Sequence, residues 1–322
     1  MANPVTVCTL GGTISARGGG SSPRLTGAEI LAGVAPDVTV DVRDVRRLPS
    51  SSLTIEDIAA LAELIDEATA AGHGVVVVQG TDTLEETAFL LDLTCTARPR
   101  TPIAVTGAMR RPDLPGADGP ANLAAAIAVA ADPACAGLGV VTVIADEVHA
   151  ARHVRKTHTT STATFASPGA GPLGTVTEGT PRIHLRPTRP TVQRPLRLRA
   201  PVRVALLTLS MGDRGELLEA VDHRFDGLVV AAFGAGHVPT WLVEPLAAQS
   251  ARIPVVLASR TGAGPILGHT YRGPGSEYDL LGRGLISAGP LDAPKARLLL
   301  HALLADGADR TRTADAFAAL RE

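Results

Sequence analysis

Short β-branched runs alternate with helical patterns through the first half of this chain. Residues 5–10, 38–45, 75–79, 103–105 and 138–144 read as strands. Between them, Thr54 stands as an N-cap ahead of apolar Ile58, Leu61, Leu64 and Ile65, and residues 84–93 and 121–131 give two further helical patterns. Strands and helices alternating at this length imply a mainly parallel sheet covered by helices on both faces. Residues 186–201 then change character. Pro187, Pro190, Pro195 and Pro201 are interleaved with Arg186, Arg189, Arg194, Arg197 and Arg199. The prolines exclude regular helix, so 186–202 is expected to be an extended linker. The alternative, a strip binding nucleic acid, would lack stacking aromatics. After it the pattern restarts, with strands at 202–209, 227–231 and 254–258 and helices at 215–221, 294–304 and 313–320. The expected organisation is a larger α/β domain over 1–185 and a smaller α/β domain over 203–322.

The chain's 322 residues provide for one large core or two ordinary ones. Only 2% are aromatic, so Ala, Val, Leu and Ile must fill the interior, as suits α/β packing. A net charge of −2 suggests neither a nucleic-acid nor a membrane partner. The longest unbroken aliphatic run, Val75 to Val78, is far short of the ~18 apolar residues of a membrane span. The start, Met1-Ala2-Asn3-Pro4, has no basic segment followed by an apolar one, so a cytoplasmic location is expected. Cys8, Cys95 and Cys135 are widely spaced and read as small buried hydrophobes.

Ligands of parallel α/β folds sit beyond the carboxyl ends of strands. After the first strand comes Gly11-Gly12-Thr13, which is either a plain turn or a hydroxyl placed beside closely approaching backbone. The glycine–serine stretch 18–22 reads as a lid. After 75–79 comes Gly80-Thr81-Asp82-Thr83. It is either helix-capping chemistry or a hydroxyl and a carboxylate suited to a base-assisted nucleophile. After 138–144 comes the densest polar stretch, 146–160, containing Lys156. Lys156 and Lys295 are the only lysines among 30 basic residues. Arginine does not deprotonate in proteins, whereas lysine can act as a base. His149, His153 and His158 lack an HExxH pattern, and no metal site is expected.

Taken together, these segments resemble the bacterial-type L-asparaginase/glutaminase amidohydrolases. TLGGTIS (9–15), LPSSSLT (48–54), VVQGTDTLEETA (77–88), VTGAMRRPD (105–113), DGPANL (118–123), VRKTHTT (154–160), FASPGAGPLG (165–174) and LDAPKARLLL (291–300) occur in family order over nearly the whole chain. The resemblance implies a mixed, mainly parallel sheet in the larger domain and a Rossmann-like smaller domain. It also implies a homotetramer of intimate dimers and no cofactor. The activity implied is hydrolysis of L-asparagine to L-aspartate and ammonia through an acyl-threonine. Thr13 would be the nucleophile. Thr81, Asp82 and Lys156 would move the proton, and the amides beside Thr13 and Thr81 would hold the oxyanion. Ser50 would bind the substrate α-carboxylate and Asp82 the α-ammonium. Gly12, Ser51, Gly80 and Ala108 would line the pocket, and Glu277 would reach a neighbouring subunit's site.

The chain departs from the family pattern in four places. The loop after Thr13 has no tyrosine, because the only tyrosines are Tyr271 and Tyr278. Ser51 stands where the family commonly has glutamine. Residues 235–237 stand near a family asparagine, and Glu277 matches only loosely. The changes touch substrate recognition and lid closure, which leaves two alternatives: a glutaminase-asparaginase of broader amide specificity, or a non-catalytic amino-acid-binding homologue. A subunit of a tRNA transamidation complex would carry an extra N-terminal domain, for which a first strand at Val5 leaves no room.

Overall fold

The computed structural model describes residues 2–16, 18, 25–32, 34, 37–96, 101–188 and 191–320. It divides into two units, Met1–Pro195 and Leu196–Glu322. In the first, the described residues form an eight-stranded sheet. Its strands are β1 (Val5–Thr9), β2 (Val40–Asp44), β3 (Gly74–Val78), β4 (Ile103–Thr106), β5 (Val140–Ile144), β6 (Glu147–Ala150), β9 (Gly174–Thr177) and β10 (Thr180–Ile183). A separate two-stranded ladder joins β7 (Arg155–Lys156) to β8 (Phe165–Ala166). The large sheet runs β10-β9-β6-β5-β4-β3-β1-β2. From β2 to β5 all pairs are parallel, and β6, β9 and β10 add antiparallel. The expected mixed, mainly parallel sheet is therefore present.

The central strands are sealed on both faces. β3 reads Gly-Val-Val-Val-Val and is fully buried, as a strand covered on both sides must be. Helix Gly119–Ala131 packs on one face, and helices Ile55–Ala70 and Leu84–Thr94 pack on the other. The helix at 55–70 starts where its sequence directs. Thr54 accepts from the amide of Asp57, and the Asp57 carboxylate accepts from the amide of Thr54.

The polar stretch from 146 on begins inside the sheet, because β5 turns straight into β6 with Ile144 paired to Glu147. The two-residue turn is Ala145-Asp146, at φ +52° and +61°. Such turns ordinarily use glycine or asparagine, so the sequence carries no hairpin signal there. The hairpin draws His149 into the buried face of the sheet.

Among the described residues of the Pro/Arg segment there is neither helix nor strand. It is nevertheless packed down: Thr191 is buried and donates to Asp92 Oδ2 at 2.5 Å. The second unit holds four parallel strands in chain order, β11 (Val204–Thr208), β12 (Gly227–Ala232), β13 (Val255–Ser259) and β14 (Ile286–Ser287). Helix Ala293–Ala305 lies against them. In its first turn Lys295 is fully buried, its Nζ 2.7 Å from Asp292 Oδ2, while Asp292 Oδ1 caps the helix through the Lys295 amide. No helix of the described residues is long and apolar enough to cross a membrane.

Candidate active site

The parallel strands of the first unit finish in register, Thr9 beside both Asp44 and Val78, and Val78 beside Thr106. The loops that follow leave one edge of the sheet together, where such folds bind ligands.

Gly11 and Gly12 follow β1 at φ +102° and +92°. A Cβ on Gly12 would fall 2.1 Å from the amide nitrogen of Gly80. Only glycine lets two main chains approach so closely. The loops after β1 and β3 are thus in backbone contact, and the next residue of each is a threonine, Thr13 and Thr81. Thr13 opens a single 3-10 turn, Thr13–Ser15, in which Ser15 Oγ donates to the Gly12 carbonyl at 2.9 Å. Thr13 is half-buried and Thr81 buried.

The loop after β2 is laced to β1. The amides of Val45 and Leu48 donate to the carbonyls of Thr9 and Leu10 at 2.9 and 3.0 Å. This lacing delivers the turn Ser50–Ser52 to the same place. Ser50 Oγ accepts from the Asp82 amide at 3.1 Å, and the Ser50 carbonyl accepts from Thr83 Oγ1 at 2.9 Å. Gly80 makes the room, since a Cβ there would lie 2.7 Å from Ser50 Oγ. Ser51, next in the turn, is exposed.

Lys156 arrives on β7. Its Nζ donates to Thr81 Oγ1 and to Asp82 Oδ1, each at 3.0 Å. Its main-chain amide donates to Glu85 Oε2, on the helix that starts just after Asp82. The Lys156 side chain is 19% exposed and that of Asp82 64%. Amine, hydroxyl and carboxylate therefore stand in one hydrogen-bonded row, an arrangement able to pass a proton.

Two residues that the sequence reading gave no role hold the neighbouring loop. Asp118 accepts from the amides of Met109 and Arg110 at 2.9 and 2.8 Å. Asn122 is buried and donates to the Gly107 carbonyl and to Asp118 Oδ2, while its Oδ1 accepts from the Ala145 amide at 2.9 Å. This network fixes buried Ala108. The available signal was an asparagine four residues after an aspartate on an otherwise apolar helix face. Gly119 of the same helix lies against Ile14, the neighbour of Thr13: a Cβ there would be 2.9 Å from Ile14 Cγ1.

Glu277 belongs to the second unit and is fully buried at the start of helix Glu277–Gly282. Its Oε1 accepts from the Tyr271 amide at 3.0 Å, and its Oε2 lies 3.6 Å from His237 Nε2. Residues 19–22 of the expected lid, and most of the 22–26 segment where the family tyrosine would stand, lie outside the described residues. Gly18 is tied down, its amide donating to Asp113 Oδ2 at 3.2 Å.

Four other groups are spoken for. His149 lies 3.0 Å from Ser167 Oγ through Nδ1, and burial pushes its imidazole below the ordinary value of 6.5. His158 Nδ1 accepts from the amides of Thr160 and Ser161. Burial pushes the thiols of Cys8 and Cys135 up to about 11, so neither is a thiolate nucleophile near neutral pH. Among the described residues no three His, Cys, Asp or Glu side chains are grouped to hold a metal ion.

Comparison with known proteins matches residues 4–189 to a family described as "Asparaginase, N-terminal" and residues 203–317 to a "Glutaminase/Asparaginase C-terminal domain". A probable L-asparaginase of Deinococcus radiodurans is 41% identical over 93% of this chain and 92% of its own length. The L-asparaginase 2 of Escherichia coli K12 is 32% identical over 95% of this chain and 90% of its own. A crystal structure of a probable cytoplasmic L-asparaginase from Campylobacter jejuni superposes with a TM-score of 0.88 at 28% identity. The match covers 98% of this chain and 99% of that one.

Proposed function

Since this chain belongs to the asparaginase family of amidohydrolases, we propose that it hydrolyses the side-chain amide of L-asparagine to L-aspartate and ammonia. The observation that carries this reading is the placement of Lys156 Nζ at 3.0 Å from both Thr81 Oγ1 and Asp82 Oδ1, in a loop whose Gly80 touches the Gly12 that precedes Thr13.

In the proposed reaction Thr13 Oγ1 attacks the amide carbon. The amides beside Thr13 and Thr81 hold the developing oxyanion. Thr81, bonded to Lys156, relays the proton released by the Thr13 hydroxyl to the amide nitrogen, which leaves as ammonia as the C–N bond breaks. Water then cleaves the acyl-threonine by the same relay. Asp82 orients Lys156 and faces the substrate α-ammonium, and Ser50 takes the α-carboxylate. Gly12, Ser51, Gly80 and Ala108 line the pocket. Glu277 completes the site of a neighbouring subunit in a homotetramer of intimate dimers. The division at 1–185, 186–202 and 203–322 and a cytoplasmic location belong to the same reading. The description of the Campylobacter relative supports the location.

Ammonia release from L-asparagine tests the proposal beside Thr13→Ala and Lys156→Met. Turnover by the wild type, lost in both variants, is expected. An inactive wild type would overturn it. The C-terminal family covers glutaminases too, and one methylene is worth only about 1–3 kcal/mol in a pocket. A kcat/KM ratio near one between asparagine and glutamine would replace the asparagine assignment by the broader one. Light scattering at 33 kDa rather than four times that mass would remove the tetramer.

A further inference from the structure

Lysine is a poor choice for a relay that must be placed to a fraction of an ångström. Its ammonium is a point charge on a flexible four-carbon stem, without the planar fork that pre-organises arginine. Two contacts at Nζ fix the head of Lys156 and leave its root free. The root sits on β7, a strand of two residues paired only with the equally short β8.

The structure holds the root separately. The main-chain amide of Lys156 donates to Glu85 Oε2. Glu85 lies in the first turn of helix Leu84–Thr94, and Thr81 and Asp82 lie in the loop that leads into that helix. One five-residue stretch, Thr81 to Glu85, therefore grips Lys156 at both ends, the amine by Thr81 and Asp82 and the backbone by Glu85. The helix is a firm base for this grip. Leu84 and the run from Thr87 to Thr94 are buried in the face of the sheet. A carboxylate accepting from a backbone N–H makes a charge-assisted bond, stronger than a neutral one.

We propose that Glu85 is a positioning residue for the relay: it locks the backbone of Lys156 to the helix that follows Thr81 and Asp82, so that Nζ reaches both. This rests on the function proposed above. Glu85 touches no reacting atom in this scheme and acts only through Lys156. Misplacing a catalytic group by about 1 Å can cost on the order of 100-fold in rate.

The test compares Glu85→Ala with Glu85→Gln, whose amide oxygen can still accept the bond. Glu85→Ala should lower kcat for L-asparagine by 10- to 100-fold, roughly the scale of such misplacement, with KM changed less than about twofold. Glu85→Gln should recover most of the loss. Selective 15N-lysine labelling gives a second readout independent of turnover, because the chain has two lysines and hence two lysine amide signals. The Lys156 amide proton should move upfield in Glu85→Ala and by less in Glu85→Gln, with Lys295 unmoved. Wild-type kcat in Glu85→Ala with an unmoved Lys156 amide would overturn the proposal. Should the alanine variant not fold, Glu85→Met, which keeps the length of the side chain without an accepting oxygen, takes its place, and wild-type kcat with an unmoved Lys156 amide there would overturn the proposal in the same way. An inactive wild type would defeat the proposed function alone, while the amide shift would still decide the role of Glu85.

Discussion

Gly12 and Gly80 meet backbone to backbone. A methyl group on the first would fall 2.1 Å from the nitrogen of the second and 2.3 Å from its Cα. The contact joins the turns that carry Thr13 and Thr81, although 67 residues separate the glycines.

Gly12→Ala should therefore damage both stability and turnover. The φ/ψ pair of +92° and −168° falls in a region essentially reserved for glycine, at a cost of about 1–3 kcal/mol. The overlap with Gly80 adds to it and cannot be relieved by rotating a side chain. Thermal unfolding beside an ammonia-release assay checks this. A variant with unchanged melting temperature and rate would mean that the two loops are not held as described.

Lys156→Arg separates charge from proton transfer. Arginine can still pair with Asp82, so folding should be retained. It cannot give up its proton near neutral pH, so turnover should fall by about 10²–10⁴-fold, the range of general acid–base contributions. Wild-type turnover in this variant would exclude Lys156 as the base.

Asn122→Leu should act at a distance from the chemistry. It leaves the Gly107 carbonyl and the Ala145 amide without their partner. Each buried group so stranded costs about 1–3 kcal/mol. A drop in denaturant midpoint, together with a raised KM from the loosened loop at Ala108, is the expected pair of effects. A change in neither would remove the asparagine from the scaffold of the site.

Acid stability should carry the mark of His149 and Asp44. Both have folded-state values below their ordinary ones: His149 by burial, and Asp44 chiefly through the hydroxyl of Thr9, which donates to it at 2.6 Å. In each case the unfolded chain binds the proton more readily, so stability falls as pH falls. The His149 contribution is complete above its ordinary value of 6.5 and declines below it. That of Asp44 is complete above its ordinary 3.8 and declines below that. His149→Gln should flatten the unfolding free energy below pH 6.5, and Asp44→Asn the limb below pH 3.8. Denaturant titrations across pH measure both, and parallel curves for wild type and variants would contradict the assignment.

Much of this was legible in advance where local pattern and burial agree. The all-aliphatic run of β3 announced a doubly covered strand, and Thr54 announced its helix. Glycines at 11 and 12 flagged close backbone approach, although not to Gly80, because that contact joins loops far apart in sequence at the ends of two paired strands. What escaped was non-local or masked by residue type. The turn at Ala145-Asp146 lacks the usual glycine, so the β5–β6 hairpin and the burial of His149 left no trace in the pattern. Helix Val243–Arg252 contains Pro245, which reads as a breaker but sits in the first turn, where proline is tolerated. Glu85 stood only as one letter of the 77–88 motif, and only the fold brings the Lys156 amide to it.

The burial of Lys295 has a practical side. With that amine sealed against Asp292 and every other cationic side chain an arginine, apart from the histidines, Lys156 is the one lysine that amine-directed reagents can reach. Succinimidyl esters, aldehyde cross-linkers and polymer conjugation would have almost no harmless anchor on this surface besides the α-amino group, and would tend to acylate or alkylate the relay itself. Immobilising the protein through thiols is no easier, since Cys8, Cys95 and Cys135 are all buried. An introduced surface cysteine is the attachment point that spares the chemistry.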